Sequence, residues 1–338
     1  MCMNRRSQRV LIIVLLILII FLQLAVIYTS FNKQKAAGIS LNQEAGYYIQ
    51  AAAKKVIPAV VYIEAIDKSG SGSIISNDGY IITNSHVVSD SSNITVRLSD
   101  KRIFKAKLIG SDPQTDVALL KINAEYLTAM EFGDSDAVDV GDNVIAIGNP
   151  FGFDFTVTTG IISAKHRERG PTEYRDFLQT DASINPGNSG GPLINSNGKL
   201  IGMTTFIVSD VRTGELGFAI PSNLIKIIFD RLIKYGKIDR SYLGISLQDK
   251  IIVNADGEGK ILDGSEIVLF DPKGPAVKSG LQKGDIIIKI NNKSIEGSNQ
   301  LRNYVAWLPV GENIYIDVLR NDKELSFNLT TVLRPNNF

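Results

Sequence analysis

The sequence is poor in the residues that staple a fold or ligate a metal. Among 338 residues there is one cysteine, Cys2, and there are two histidines, His86 and His166. One cysteine excludes an intrachain disulfide. Two histidines without a histidine neighbour, and with a remote cysteine, leave no structural zinc set. A carboxylate-only metal site stays open, but no metal and no cofactor is expected. Neither sign of charge is in excess: 36 Lys+Arg against 35 Asp+Glu give a formal net charge of +1. That balance excludes a basic nucleic-acid footprint and an acidic solvating tail. Low-complexity tracts and tandem repeats are missing as well.

What is present begins at the N-terminus. Arg5, Arg6 and Arg9 precede an apolar run from Val10 to Tyr28 in which Gln23 is the only strongly polar side chain. As a helix this run spans about 28 Å, close to the hydrocarbon thickness of a bilayer. The arginines predict a cytoplasmic tail at 1–9, an anchor at 10–28, and residues 29–338 outside the cytoplasm. A cleaved signal peptide fits less well, because Ile27-Tyr28-Thr29-Ser30 is a poor small-residue cleavage site. No cysteine follows the run to carry a lipid.

The length suggests two domains. Residues 29–45 read as a linker, and 46–57 as a short helix closed off by Pro58. From Ala59 to Ile220 the chain is a series of short β-rich runs divided by turn residues. These include Val60–Ile66, Gly72–Ile75, Gly79–Thr83, Ile94–Leu98, Val117–Ile122, Val144–Ile147, Thr156–Ile162, Gly191–Ile194 and Lys199–Thr205. Strands at this spacing mean barrels or a sandwich. Ser222 then reads as the cap of a helix with Leu224, Ile227, Ile228, Leu232 and Ile233 on its apolar face and Gly236 at its end. The domain boundary falls at 236–241. Beyond it, strands are predicted near 243–247, 266–269, 285–290 and 313–320. Short helices are predicted over Pro275–Gly280 and over Asn299–Leu308, the second capped by Ser298.

Gly187-Asn188-Ser189-Gly190-Gly191 is the candidate nucleophile turn. A serine hydroxyl needs a base to take its proton and N–H donors aimed at the oxygen that becomes negative. A glycine turn supplies such donors, and Gly187, Asn188 and Ser189 are the candidates, with Gly187 and Ser189 the natural pair. Alone, the pentapeptide is an ordinary turn. It also fits a G-x-S-x-G elbow, but that fold needs a helix after the serine and a histidine later in the chain, and both histidines precede Ser189. The order His, Asp, Ser remains. His86 follows the run Gly79–Thr83 among apolar residues, whereas His166 lies among Lys165, Arg167, Glu168 and Arg169. Asp116 opens Val117-Ala118-Leu119-Leu120 and is the candidate acid. Asp112, before Pro113, reads as a turn former and Asp100 as a hairpin tip.

Four stretches carry a resemblance. They are Thr83-Asn84-Ser85-His86-Val87, Asp112-Pro113-Gln114-Thr115-Asp116-Val117-Ala118, Ile147-Gly148-Asn149-Pro150-Phe151-Gly152 and Gln179 through Gly191. From about Ala59 to the C-terminus the chain resembles the HtrA/Deg family of serine proteases. A single anchor, a single peptide-binding domain and a short loop at Asp67–Ser71 make its layout most like the DegS branch, the bacterial inner-membrane stress-sensing proteases.

The resemblance implies a mostly β architecture: a chymotrypsin-like double β-barrel over 46–236, an α+β PDZ-like domain over 241–333, and one N-terminal transmembrane helix. It implies a triad of His86, Asp116 and Ser189, and activity without zymogen cleavage. Residues 204–217 resemble the loop lining the primary specificity pocket. Ser183 stands where trypsin places its acidic floor, so small aliphatic residues are the expected cleavage preference. Tyr242-Leu243-Gly244-Ile245 looks like a PDZ carboxylate-binding loop, with Asn299–Leu308 as the other groove wall. The loop 164–176 resembles the family's sensor loop, with Arg167 as its reporter.

The expected partners are peptide and protein substrates, the C-terminal peptides of misfolded proteins, two further copies in a homotrimer with Tyr47 and Tyr48 as candidate contacts, and the bacterial inner membrane, with the domains on the periplasmic side. No nucleic acid is expected. The expected reaction is cleavage of a membrane regulatory protein of the anti-sigma-factor type in the envelope stress response. A general quality-control protease or chaperone, and a non-catalytic adaptor that binds C-termini, are the alternatives.

Overall fold

The computed structural model describes residues 18, 20–29, 48–89, 91–149, 155–168, 170–185, 187–210, 214–253 and 261–335. It divides into two units, 1–54 and 55–338. In the first, residue 18 and residues 20–29 are helical, and their large apolar side chains, among them Phe21, Leu22 and Ile27, are exposed. Among the described residues no helix is long and apolar enough to cross a membrane. Residues 10–17 and 19 of the expected span 10–28, the tail 1–9, nearly all of the linker 29–45, and Tyr47 lie outside the described residues.

The second unit holds two barrels and a smaller sheet domain. The first barrel is built from β1 (Val60–Ala65), β2 (Lys68–Ile74), β3 (Tyr80–Thr83), β4 (Ile94–Arg97), β5 (Ile103–Asp112) and β6 (Val117–Lys121), closed in the order β1-β2-β3-β6-β5-β4. Its interior is β-branched and leucine side chains, including Ile63, Ile74, Ile81, Ile82, Val96, Leu119 and Leu120, all buried. Each contributes about 1.5–3 kcal/mol when removed from water. The short loop expected at Asp67–Ser71 is a tight hairpin, with Ala65 paired to Lys68 and Asp67 at φ 58°.

The second barrel comprises β7 (Asn143–Gly148), β8 (Thr156–Arg167), β9 (Phe177–Thr180), β10 (Pro192–Asn195), β11 (Leu200–Asp210) and β12 (Gly214–Pro221), closed as β10-β11-β12-β9-β8-β7. Val144, Ala146, Ile162, Leu178, Leu193, Ile201 and Ala219 fill it. Strands, not a helix, follow the serine turn, which agrees with rejecting the elbow.

Three strands of the barrels go beyond those expected from the sequence. Strand β5 alternates lysines with partly exposed apolar residues, β9 is four residues long, and β12 carries two glycines. Each has a weak local pattern and is defined by pairing: β5 with its chain neighbours β4 and β6, and β12 with β11 and with β9, which lies farther back in the chain.

Short α1 (Ser85–Val88) follows β3, and α2 (Ser222–Tyr235) ends at left-handed Gly236, φ 69°. Ser222 does not cap α2. It is the first helical residue, and its hydroxyl donates to Gly133 O (2.9 Å). The buried face is Ile225, Ile228 and Leu232, whereas Ile227 and Ile233 are exposed, because the face packs against β11, β5 and β6 and is rotated from the expected stripe.

In the last domain, β13 (Ser241–Tyr242) pairs with β20 (Val332–Leu333). Strands β14 (Ile245–Val253), β15 (Ile261–Phe270), β16 (Ile286–Ile290), β18 (Asn313–Arg320) and β19 (Lys323–Thr330) form the main sheet, with β17 (Lys293–Ser294) paired to β16. Helix α3 (Ser298–Trp307) buries Leu301 and Val305 against a core of Ile267, Ile287, Ile290, Ile314 and Ile316. Ser298 lies inside α3, where its hydroxyl donates to Asp249 Oδ1 (2.5 Å), so it is not the cap. The turn at Pro275 is a 3-10 helix over Pro275–Lys278.

Candidate active site

Strand β3 delivers the candidate base. It ends at Thr83, and α1 presents His86 with its imidazole half exposed. Asp116 sits at the start of β6 and is held in the left-handed region, φ 62°. Such a conformation in a non-glycine residue is uncommon and clusters at functional sites. It is held from both ends: Asp116 O accepts from Asn84 Nδ2 (3.0 Å) and Ser85 N (3.2 Å). The carboxylate accepts from His86 Nδ1 (2.8 Å to Oδ2 and 3.0 Å to Oδ1) and from His86 N (3.0 Å). A further donor comes from the other barrel, where Thr205 Oγ1 donates to Asp116 Oδ2 (2.7 Å). These bonds give a largely buried carboxylate its hydrogen-bond partners and hold the imidazole in one orientation.

Ser189 stands in the turn before β10. Its hydroxyl donates to Thr205 O (3.1 Å), the same residue whose side chain holds Asp116. Among the described residues no hydrogen bond joins Ser189 to His86, so the serine hydroxyl has to rotate to reach the imidazole. Gly190 takes φ 82°, and a Cβ there would come within 2.2 Å of Ser71 O, so the turn and the first barrel meet only because this residue is glycine.

Each other peptide group of the turn has its partner. Asn188 N donates to Asn185 O (2.9 Å), Gly190 N to Thr204 O (2.8 Å) and Gly191 N to Asn188 O (2.8 Å). The N–H groups of Gly187 and Ser189 have no acceptor among the described residues. Of the three candidate donors, Asn188 therefore drops out, because its amide is consumed within the turn. Pro186, and the Pro150-Phe151-Gly152 part of the third motif, lie outside the described residues.

Beside the turn, Phe206 stacks on Phe218 (centroids 4.7 Å, planes 8° apart) and meets the edge of Phe177 at 5.0 Å. Gly217 is packed so closely that a Cβ would lie 2.7 Å from Ile184 Cγ1. Ser183 O accepts from Thr158 Oγ1 (2.8 Å). The loop 204–217 is mostly strand, β11 running into β12, with 211–213 outside the described residues.

His166, the rival base, is exposed and pairs with Asp176 Oδ1 (2.9 Å). Arg167 ends β8 and donates from Nε to Gln179 Oε1 (2.9 Å). Other residues of its loop make the contacts to α3: Asn299 Nδ2 donates to Glu168 Oε2 (2.8 Å), and Asn303 Nδ2 donates to Arg175 O (2.8 Å).

A buried cluster that the sequence does not announce links the domains. Asp112 is no mere turn former. It is 4% exposed and accepts a two-pronged pair from Arg240, 3.0 Å from NH1 and 2.5 Å from NH2. The guanidinium lies 4.4 Å from the Tyr174 ring centre and 5.1 Å from that of Trp307. Tyr174 N donates to Gln114 O (3.2 Å), two residues before Asp116, and Tyr174 OH accepts from Arg334 (2.8 Å). Burial pushes the Tyr174 phenol up, against the pull of Arg334 and Arg240, so it stays neutral. Single polar residues at a domain boundary carry no pattern, and only an aspartate flanked by apolar strands hints at this pair.

The second candidate site is a groove of about 400 Å³ between β14 and α3. Ser241 to Leu243, Ile245 to Leu247, Leu301 and Val305 line it, together with Glu173, Tyr174 and Arg334. The carbonyls of Leu243 and Gly244 are tied inward by Ala276 N (3.1 Å) and Asp271 N (2.8 Å). Among the described residues the N–H groups of Leu243 and Gly244 have no acceptor outside regular structure. Gly244, φ 76°, sits against Gly274, where a Cβ would lie 2.5 Å from Cα. Tyr242 OH donates to Asp271 Oδ2 (3.1 Å), and its phenol is pushed up to about 12 by burial and by that carboxylate.

Known proteins agree with this geometry. A trypsin-like peptidase domain model matches residues 70–203, and a PDZ domain model matches 241–331. A probable periplasmic serine endoprotease, DegP-like, of Marinomonas sp. (strain MWYL1) is 45% identical over 273 residues, 79% of this chain and 57% of its own. The corresponding protein of Chlamydia trachomatis serovar D is 43% identical over 272 residues, 79% of this chain and 54% of its own. The chain thus spans little more than half the length of these curated relatives. Solved structures match along nearly their whole length. The HtrA-type protease AlgW with a tripeptide is 39% identical, with TM-score 0.76, over 85% of this chain and 97% of that one. The serine endoprotease from Yersinia pestis is 37% identical, with TM-score 0.67, over 85% and 98%.

Fold and site thus define a trypsin-like double-barrel peptidase domain joined to one PDZ domain. The chain belongs to the HtrA family of serine proteases.

Proposed function

We propose that the chain is a serine endopeptidase that works through Ser189, His86 and Asp116. The observation that carries this reading is the Asp116–His86 pair at 2.8 Å beside a serine turn whose Gly187 and Ser189 N–H groups are left without acceptors. Ser189 Oγ, turned from Thr205 O towards His86, attacks a peptide carbonyl while His86 Nε2 takes its proton. Asp116 holds the Nδ1–H tautomer and stabilises the imidazolium. The tetrahedral oxyanion is met by the amides of Gly187 and Ser189. Collapse expels the amine, which takes the proton from His86, and leaves an acyl-Ser189 ester. Water, deprotonated by His86, then releases the acid. Tight packing of Gly217 against Ile184 supports a small primary pocket and small aliphatic residues at the cut.

The PDZ groove, in this reading, takes the C-terminus of a misfolded protein. Its carboxylate lies on the amides of Leu243, Gly244 and Ile245, Tyr242 supports the loop, and the peptide extends β14. Occupancy is reported through the loop 164–176, which touches α3 through Glu168 and Arg175, with Arg167 at its base. The exposed apolar helix ending at residue 29, with three arginines before it, supports an anchor in the bacterial inner membrane and periplasmic domains. AlgW solved with a tripeptide lends support to peptide recognition. The DegS-type role follows: one activating peptide and one cut in an anti-sigma-type membrane regulator, by a homotrimer.

The test is a fluorophosphonate label on Ser189 together with peptidase assays with and without a hydrophobic C-terminal peptide, on wild type and Arg167→Ala. Wild type labels and is activated by peptide, and Arg167→Ala loses the response while keeping the label. An unlabelled wild-type Ser189 supports the adaptor reading instead. Degradation of denatured protein to small fragments points to general quality control. A response unchanged in Arg167→Ala removes Arg167 from the switch.

A further inference from the structure

Ser71 lies in β2, in the first barrel, and is fully buried. Its hydrogen bonds outside the strand ladder run to the candidate catalytic region. Its hydroxyl donates to Gly187 O (2.6 Å) and accepts from Asn149 N (2.8 Å), so it bridges the nucleophile turn and the end of β7. Its N–H donates to Ser189 O (2.8 Å), and its carbonyl accepts from Thr83 Oγ1 (2.7 Å), three residues before His86.

A peptide group is planar, so fixing its carbonyl fixes the opposing N–H. The Gly187–Asn188 peptide is clamped at both ends, at its carbonyl by Ser71 Oγ–H and at its amide by Asn185 O. The Ser189–Gly190 peptide is clamped the same way, by Ser71 N–H and Thr204 O. Between these clamps sits the Ser189 amide, without an acceptor among the described residues, and just before them sits that of Gly187. Around the turn, the buried side-chain amide of Asn188 and the Oδ1 of Asn149 have no partner among the described residues. The Asn188 side chain therefore does not hold the turn from within, and two hydroxyls hold it from outside: Ser71 at Gly187 O and Thr204 Oγ1 at Asn188 O (2.6 Å).

We infer that Ser71 is a positioning residue for the oxyanion turn: its hydroxyl locks the Gly187–Asn188 peptide in the orientation that leaves the Gly187 and Ser189 amides aimed at one hollow. This rests on the endopeptidase reading. Losing a hole donor outright lowers turnover by about 10²–10³-fold. Ser71 acts through the turn, so its loss costs less, about ten- to a hundredfold.

The experiment compares full-length wild type, Ser71→Ala and Ser71→Thr well below their melting temperatures. It measures kcat and KM on a peptide substrate, inhibition by a peptide boronate, and melting temperature. The boronate forms a tetrahedral adduct on Ser189 whose oxygen occupies the hole. The expected result is that Ser71→Ala lowers kcat about ten- to a hundredfold with little change in KM, weakens the boronate in proportion, and still melts cooperatively. Ser71→Thr, which keeps the hydroxyl, recovers most of both. Unchanged kcat and boronate affinity in folded Ser71→Ala overturns the inference. So does equal loss in both variants that follows melting temperature and leaves the boronate untouched. If Ser71→Ala fails to fold, Ser71→Cys, of similar size but with a poor donor, replaces it under the same criteria. Failure of the endopeptidase reading shows separately, as a wild type that neither cleaves nor labels.

Discussion

The two barrels contribute to the cleft in opposite ways. In the proposed mechanism the first supplies base and acid on short, well-packed elements, β3, α1 and the start of β6, and wires them to each other. The second supplies the proposed nucleophile on a glycine turn whose Asn188 side chain has no partner among the described residues. Each half is latched by one hydroxyl from the other: Thr205, of β11, holds Asp116, and Ser71, of β2, holds Gly187. The lesson is that closing two separate barrels is not enough to make this site. Polar groups crossing the interface set its angles, and a third latch, Asp112 with Arg240, carries the same logic from barrel to PDZ domain.

The comparison can be broken first at the acid. Asp116→Asn keeps the shape but favours the wrong imidazole tautomer, and kcat is expected to fall about 10⁴-fold. Stopped-flow acylation kinetics measure it, and a loss below tenfold would show that the first barrel's wiring does not matter. Thr205→Val tests the reciprocal latch. It removes one of several donors to a carboxylate, a bond in the range of about 1.5–3 kcal/mol, of which the remaining donors recover part. The expected loss is on the order of tenfold in kcat, with KM little changed. Combined with Ser71→Ala, the effects should multiply if the two latches are independent, and a double-mutant cycle reads the coupling.

The smallest effect on basal turnover is expected at the interdomain latch. Arg240→Ala leaves Asp112 buried without its partner, a loss of about 3–5 kcal/mol of stability. Urea unfolding of the full chain detects it. Adding Asp112→Leu to Arg240→Met removes the unpaired charge and should restore most of the loss, since a well-packed apolar pair can replace a buried ion pair. If Arg240→Ala unfolds no more readily than wild type, the pair is not an interdomain latch.

Much of the site is legible in the residues themselves, because its chemistry is concentrated in short stretches. The glycine turn at Ser189, His86 after an apolar run, and Asp116 before one are local patterns, and the order of the three along the chain excludes the competing elbow. The helix over Ser222–Tyr235 is legible from its period. Its buried face is not, because packing against β11 and β5 selects Ile225 rather than Leu224 and Ile227. Strands β5, β9 and β12 are not legible either, since each is short, exposed or glycine-bearing and is defined by its pairing in a closed barrel, β9 with β12 across more than thirty residues.

By itself, the order of residues determined that this chain would carry a serine, a histidine and an aspartate in positions suited to attack a carbonyl, on a β-rich body with a second binding domain after residue 240. Tertiary structure alone decided that Ser71, 118 positions before Ser189, and Thr205, 89 positions after Asp116, would become its hydrogen-bond partners. It decided too that the Asn188 amide would be spent inside the turn. A lone hydroxyl or amide carries no periodicity, and its role depends on a distance that exists only once the two barrels have closed against each other.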